Sequence, residues 1–154
     1  QFPFLRETYE KEIAAYVEQK SKECVEEILL QAKENGYEVQ RSASAQAKAQ
    51  IKPDKIEVTY EQDITITKGQ DRFSFKVFEV AVASNLDLFL DIANDAVNAE
   101  AKYGNYDQLS PMLINSRLVI QRLRVDDATL YTLRRDGETF RFATRSYYLP
   151  PGLY

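Results

Sequence analysis

The sequence feature that most constrains the fold is segment 128–148, in which Asp136-Gly137 separates two runs rich in β-branched and aromatic residues. A two-residue type I′ turn needs positive φ at both central positions, and Asp followed by Gly supplies it. The register fixed by this turn gathers the large apolar residues on one face, with Leu133 opposite Phe140 and Tyr131 opposite Phe142. The other face carries Thr132, Arg134, Thr139 and Arg141. The hairpin therefore predicts a half-buried antiparallel ribbon that needs a covering layer.

The N-terminal part of the chain has the periodicity of a long amphipathic helix over residues 6–35. Apolar residues recur there at three- and four-residue spacing: Tyr9, Ile13, Tyr16, Val17, Cys24, Ile28 and Ala32. Gly36 follows where a left-handed helix cap is expected. Because Cys24 lies on this stripe and the chain has no His, we expect a buried structural thiol rather than a nucleophile. The polar residues 19–23 interrupt the stripe, which leaves residues 1–20 able to project.

The segment between this helix and residue 84 predicts a loop followed by a β-hairpin. Residues 41–52 are small and polar, so we expect a mobile loop, with a short Ala-rich helix as the alternative. Residues 56–66 alternate between apolar and polar side chains, which is typical of a strand with one buried face. The return strand keeps its apolar residues at odd positions through Val77 and at even positions from Phe78. This change of phase predicts a β-bulge near residues 77–79, or burial on both faces.

The remaining elements complete an α+β pattern. Ser84 and Asp87 have the spacing of a capping box, which predicts a helix from there to about residue 103, closed by Gly104. We expect its core stripe to contain Leu86, Phe89, Leu90, Ala93, Val97 and Ala101. Ser110 followed by Pro111 predicts a short helical turn, and residues 118–125 predict a strand. Grouped strands argue for a two-layer domain, in which two helices pack on an antiparallel sheet built from a hairpin and a C-terminal meander. We expect a single domain over residues 1–154, with an extended tail at 149–154.

The composition removes the residues on which most enzyme and metal sites depend. The 154 residues include no His, no Trp and one Cys, so the commonest general base and metal ligand are missing. Acidic residues outnumber basic ones 24 to 20, and the net charge of −4 disfavours nucleic acid as a partner. We therefore expect no enzyme activity, no cofactor and no metal. No apolar run approaches the ~18 residues that a membrane-spanning helix needs.

Two charged clusters offer alternatives to this expectation. Asp87, Asp91 and Asp95 lie at four-residue spacing, but a straight helix face cannot supply the roughly six to eight oxygens that Ca²⁺ prefers. We interpret them as a solvated face. Seven arginines crowd the C-terminal strands: Arg117, Arg122, Arg124, Arg134, Arg135, Arg141 and Arg145. We interpret these as cross-strand partners on a solvated outer face, with a surface for phosphate, single-stranded RNA or a carboxylated glycan as the alternative. A pair of hydrolytic carboxylates stays open, because 24 acids allow many pairings.

Four segments carry a resemblance to a known group of proteins. They are EIAAYVEQKSKECVEEIL at 12–29, KIEVTYEQDITITKG at 55–69, LDIANDAVNAEA at 90–101 and DDATLYTLRRDGETFRFATRS at 126–146. Together they resemble archaeal membrane-anchored extracytoplasmic proteins of unknown function. The resemblance implies a cell-surface location, with membrane contact only through an anchor that this chain lacks.

We expect a non-enzymatic structural or interaction domain that acts through protein–protein contacts. Its partners would be other protein subunits or domains, a second copy of the chain among them. The apolar residues near the two ends of the chain are the candidate contacts: Phe2, Phe4, Leu149, Leu153 and Tyr154. The alternatives are a subunit of a pilus-like surface filament and a carboxylate-based hydrolase.

Overall fold

The computed structural model describes residues 5–145, and their fold belongs to the predicted α+β two-layer class. The helices are α1 (Leu5–Glu34), α2 (Leu86–Tyr103) and α3 (Leu109–Ile114). The strands are β1 (Glu38–Arg41), β2 (Gln46–Lys52), β3 (Lys55–Lys68), β4 (Asp71–Ala83), β5 (Val119–Val125), β6 (Ala128–Arg135) and β7 (Glu138–Arg145). In one sheet β3 pairs with β1, β2 and β4, and in the other β6 lies between β5 and β7.

The described residues divide into two compact units. The first contains residues 5–52 and 56–82, and we call it the helix–hairpin unit. The second contains residues 53–55 and 83–145, and we call it the meander unit. Each unit packs a helix on its own antiparallel sheet.

Helix α1 of the helix–hairpin unit is confirmed, but its buried stripe differs from the prediction. The covered row repeats every four residues and includes Val17, Val25 and Leu29. Tyr16, Cys24 and Ile28 each precede one of these residues and are exposed, so their predicted burial is wrong. One residue turns a helix by about 100°, which is enough to move a side chain from the covered face to solvent. The helix ends as predicted at Gly36, whose φ is 80°.

The prediction of a loop or short helix at residues 41–52 is wrong, because this segment contains the end of β1 and all of β2. In β2, Ala47, Ala49 and Ile51 alternate with exposed polar residues and are covered by α1. Small side chains there allow the helix to approach the sheet. Alanine has a low strand propensity, and for that reason the alternation was not recognisable as a strand. The side chains of Arg6 and Glu10 also bond the backbone of Ile51, at 3.1 and 2.9 Å.

The predicted hairpin of β3 and β4 is confirmed. Val58, Tyr60 and Ile64 of β3 are buried, as the alternation required. The strands are joined by Gly69 and Gln70, and Gly69 has φ 60°. Positive φ at the first central position alone is typical of a type II′ turn. The alternative of burial on both faces of β4 is wrong, since every residue of β4 is exposed.

The meander unit has the core that the C-terminal hairpin predicted. Leu133 pairs with Phe140 and Tyr131 with Phe142, in the register expected from the turn. The φ angles of Asp136 and Gly137 are 50° and 85°, which confirms the type I′ conformation. Buried side chains from α2, the sheet and the segments that join them meet in one cluster: Phe89, Ile92, Ala96, Tyr106, Leu118, Ile120, Tyr131 and Leu133. The buried residues of α2 include Ile92, Ala96 and Glu100 beside the predicted Phe89, Leu90 and Ala93. The predicted burial of Ala101 is wrong, because this residue is exposed.

The start of α2 is held by Glu138 of β7, so the predicted capping box of Ser84 with Asp87 is wrong. The Glu138 carboxylate accepts hydrogen bonds from the Ser84 hydroxyl at 3.0 Å and from the Asn85 backbone N–H at 3.1 Å. Asn85 also donates through its side-chain amide to Glu138 at 3.3 Å. The backbone N–H of Ser84, which a capping box would direct to Asp87, donates instead to the carbonyl of Asp54 at 3.1 Å. Similarly, α3 begins at Leu109, where the Asp107 carboxylate accepts the first backbone N–H at 2.9 Å.

Candidate docking surface

Strand β4 presents the most exposed apolar surface of the helix–hairpin unit. It is an edge strand, because it pairs with β3 and no other strand of the described chain lies on its far side. Its large apolar side chains are between 40% and 57% exposed: Phe73, Phe75, Val77, Phe78, Val80 and Val82. Long apolar edge strands are uncommon in soluble proteins, since their free backbone groups accept another strand.

Two ring contacts identify the face on which these side chains lie. The rings of Phe75 and Phe78 are 6.3 Å apart, although a three-residue spacing places side chains on opposite faces of a regular strand. The Phe78 ring is also 6.3 Å from that of Tyr60, a buried residue on the α1 side of β3. Lys76, in contrast, shares a shallow pocket with Glu61 and Asp63, whose positions on β3 alternate with the buried ones.

The alternation of β4 therefore changes phase between Lys76 and Phe78, as the predicted bulge requires. An extra residue at Val77–Phe78 places all six large apolar side chains on the α1 side. We call these six residues the β4 row. The opposite face then carries Arg72, Ser74, Lys76 and Glu79. Strand β4 is therefore amphipathic, because the bulge brings the apolar residues before it and after it to the same face.

Helix α1 covers β1, β2 and the adjoining part of β3 and leaves the β4 row open. An open groove of about 270 Å³ separates the helix from the row. Its helical wall contains Val17, Ser21, Cys24, Val25 and Ile28, and the strands contribute Val58, Tyr60, Phe78, Glu79 and Val80. The exposed apolar residues of α1 thus continue the surface of the β4 row. The Cys24 thiol stands at the edge of this groove.

The polar face of β4 carries three charged side chains, Arg72, Lys76 and Glu79. None of them makes an ion pair within residues 5–145. Other charged side chains of the same sheet do pair, as Lys48 does with Glu61 at 3.3 Å. Lys76 and Glu79 flank the two bulge residues symmetrically, one on each side.

The aspartates of α2 do not converge on a metal site. Asp91 and Asp95 line an open groove of about 960 Å³ between α2 and α3, and Asp87 does not. Among the described residues, no group of three His, Cys, Asp or Glu side chains is placed to hold a metal ion. Burial in this groove, with Asp95 and Asp107 nearby, raises the pKa of Tyr106 to about 12.

The arginines of the meander unit mostly meet acids or amides. Arg117 lies 2.7 Å from Asp136, and Arg145 lies 3.8 Å from Asp127. Arg122 donates to the side chain of Asn105. Arg134 and Arg141 lie on the sheet face opposite Tyr131 and Phe142. The large aromatic rings and these two arginines therefore do not form one stacking surface for single-stranded RNA.

Glu100 is the only buried acidic side chain among the described residues. Its carboxylate accepts a hydrogen bond from the hydroxyl of Tyr131, which is also buried. Burial and the hydrogen bond to Glu100 raise the pKa of the Tyr131 phenol. A retaining or inverting glycosidase needs two carboxyl groups across a substrate cleft. Glu100 instead links α2 to β6 within the core.

The residues predicted as contacts lie outside the described part of the chain. Phe2, Phe4, Leu149, Leu153 and Tyr154 fall before residue 5 or after residue 145. The β4 row was not predicted as a surface, although the change of phase at Val77 was the sequence signal that identifies it. Over residues 5–145, no helix combines the length and the apolar character needed to cross a membrane.

Comparisons with protein-family models, with curated proteins and with solved structures found no match to this chain.

Proposed function

We propose that this chain is a non-enzymatic interaction domain that associates with other copies of itself through β4. The observation that carries the proposal is the β4 row, six large apolar side chains on an edge strand that are each roughly half exposed. We include in the proposal a cell-surface, extracytoplasmic location, for which the sequence resemblance is the only support. The domain would then act as a connector between protein subunits.

The size of the exposed surface supports this role. Fully burying an aromatic side chain covers about 150–250 Å². With half of each side chain exposed, the β4 row offers on the order of 500 Å² of apolar area, at the upper end of what monomers display. Two copies that paired through their β4 edges would cover part of each row, because opposed side chains on one face of neighbouring strands contact each other.

The backbone of β4 supports the same role. An edge strand has N–H and C=O groups that point away from its sheet, and a strand from another chain can pair with them. Natural edge strands usually limit such pairing with charges, prolines or bulges. In β4 the charged residues alternate with the apolar ones and lie on the opposite face, so the α1-facing side has neither a charge nor a proline from Phe73 to Val82.

The test is the molar mass of the protein in sedimentation experiments over a concentration series. The wild-type chain should associate as its concentration rises. Val80→Lys should remain monomeric, because it places a charge in the middle of the interface. Ile114→Lys is the matched control, since Ile114 is an equally apolar, 81% exposed residue on α3. This variant should associate like the wild type.

Either of two results would refute the proposal. One is a wild-type protein that stays monomeric over the whole series. The other is a Val80→Lys variant that associates as strongly as the wild type. Urea unfolding of both variants shows whether each keeps its fold, because a surface substitution should leave the midpoint nearly unchanged.

A further inference from the structure

We infer that the associated form is a closed two-fold dimer in which two β4 strands pair antiparallel, with Lys76 of each copy opposite Glu79 of the other. This inference rests on the proposed function and adds the partner strand, its direction and its register. Three features of β4 carry it: the faces of its side chains, the direction of its backbone groups, and the opposite charges of Lys76 and Glu79.

The faces of the side chains permit this register only because β4 changes phase. When two strands pair about a two-fold axis normal to the sheet, two residues that lie directly opposite each other have their side chains on the same face of the sheet. In a regular strand Val77 and Phe78 would lie on opposite faces, and a pairing centred between them would be impossible. With the bulge they share a face, so Val77 of one copy can oppose Phe78 of the other.

This register also matches the remaining side chains. On the apolar face it opposes Phe75 with Val80 and Phe73 with Val82. Aromatic residues opposite β-branched residues are favourable cross-strand pairs. The two apolar rows would then form one continuous surface across the dimer.

The backbone of β4 presents the required groups at its free edge. In a two-residue hairpin the flanking residues, Lys68 and Asp71, form a hydrogen-bonded pair. The contact of 3.3 Å between the hydroxyls of Thr65 and Ser74 agrees with the register that follows from this pair. The backbone N–H and C=O groups of odd-numbered β4 residues up to Val77 therefore point towards β3, whereas those of Lys76 point to the free edge. Beyond the bulge, the backbone groups of Glu79 point to the free edge.

The charges of Lys76 and Glu79 complement each other when two β4 strands pair antiparallel. Lys76 and Glu79 lie on the same face, one on each side of the bulge. Antiparallel pairing about the bulge brings Lys76 to Glu79 twice, once on each side of the axis. Parallel pairing in register would instead place Lys76 beside Lys76 and Glu79 beside Glu79, which is unfavourable. These two charges, which have no partner within residues 5–145, thus find one in a second copy.

The experiment is a charge exchange followed by sedimentation. Lys76→Glu and Glu79→Lys should each weaken self-association about tenfold, because two opposite-charge contacts become two like-charge contacts. An equimolar mixture of the two variants should recover the wild-type affinity, since each charge again meets its opposite. The double variant K76E/E79K should recover it as well. Lys11→Glu and Glu27→Lys on α1 are controls with the same changes of net charge, and they should have no effect.

Three outcomes would overturn the inference. In the first, single variants weaken association but the mixture stays weak, so the contact is not reciprocal and β4 meets a different surface. In the second, the charges have no effect although Val80→Lys abolishes association, so the register is different. In the third, the mass increases beyond a dimer, since a two-fold contact must close. All three outcomes leave the proposed function standing, whereas a wild-type protein that never associates removes both.

Discussion

Glu138 supports the first turn of α2 from the neighbouring sheet, and its replacement should destabilise the meander unit. Its carboxylate receives three donors: the Ser84 hydroxyl, the Asn85 backbone N–H and the Asn85 amide. Asn85 is buried, so water cannot readily replace the lost acceptor. We therefore expect Glu138→Ala to leave a buried donor unsatisfied at the positive end of the helix dipole.

The magnitude follows from these contacts. A buried donor left without its acceptor costs about 1–3 kcal/mol. A carboxylate near a helix N-terminus contributes about 0.3–1 kcal/mol through the dipole. Glu138→Ala should therefore lower the free energy of unfolding by about 2–3 kcal/mol. Glu138→Gln keeps a neutral acceptor and should lower it by only about 1 kcal/mol, because a hydrogen bond to a neutral acceptor is weaker.

Urea unfolding followed by circular dichroism measures this difference. Thr139→Ala is the matched control, since Thr139 is the next residue of the same strand and is exposed. Its effect should stay below about 0.5 kcal/mol. If Glu138→Ala were as stable as Thr139→Ala, the carboxylate would not hold α2, and the reasoning would be refuted. Equal losses for Ala and Gln would show that the negative charge, rather than the shape of the side chain, is what holds the helix.

Three further predictions concern other parts of the chain. Because the pKa of Tyr106 is raised from 10.0 to about 12, the unfolded phenol ionises first, so stability should fall as pH rises from 10 to about 12. Tyr106→Phe should reduce this loss in alkaline urea titrations, and an unchanged slope would contradict the assignment. Cys24 is exposed, so a thiol reagent should label it in the native protein nearly as fast as in urea, and strong protection would contradict its position. Gly137 has φ 85°, so Gly137→Ala should cost about 1 kcal/mol in thermal unfolding, and a neutral effect would argue against the type I′ turn.

The C-terminal hairpin could be predicted in detail because its turn is encoded locally. Asp136-Gly137 specifies a turn of fixed length, and fixed length specifies the register. Once the register is known, the buried face follows from alternation alone, and Tyr131 and Leu133 are indeed fully buried. The same logic located the end of α1, because Gly36 marks a left-handed cap.

The elements that were missed depend on contacts between distant residues. Strand β2 has alanines where a typical strand has β-branched residues. Its alternation separates a covered face from an exposed face only because α1 packs on it. The covered row of α1 follows the direction in which the sheet crosses it, and this direction is not encoded in the helix itself. Glu138 holds the start of α2 because the fold brings β7 there. Local patterns cannot supply such partners.

The sequence predicted one feature of the candidate surface and not the other. The change of phase at Val77 predicted a bulge, but it could not show whether the apolar residues would be covered. Their exposure depends on where α1 lies, and α1 covers β2 rather than β4. The terminal residues that were expected to form contacts lie beyond residues 5–145 and stay a prediction.

The bulge makes the two sides of β4 depend on its length. Deleting Val77 or Phe78 would remove the bulge and leave a regular alternation, in which every later residue keeps its present side. Inserting one residue directly after Phe78 would instead turn the rest of the strand over, so that Val80 and Val82 would point the same way as Lys76, while Glu79 would turn towards α1. A lengthened chain of almost unchanged composition would thus lose the separation between its oily and charged sides, whereas a conservative exchange of Val77 for Ile would keep it.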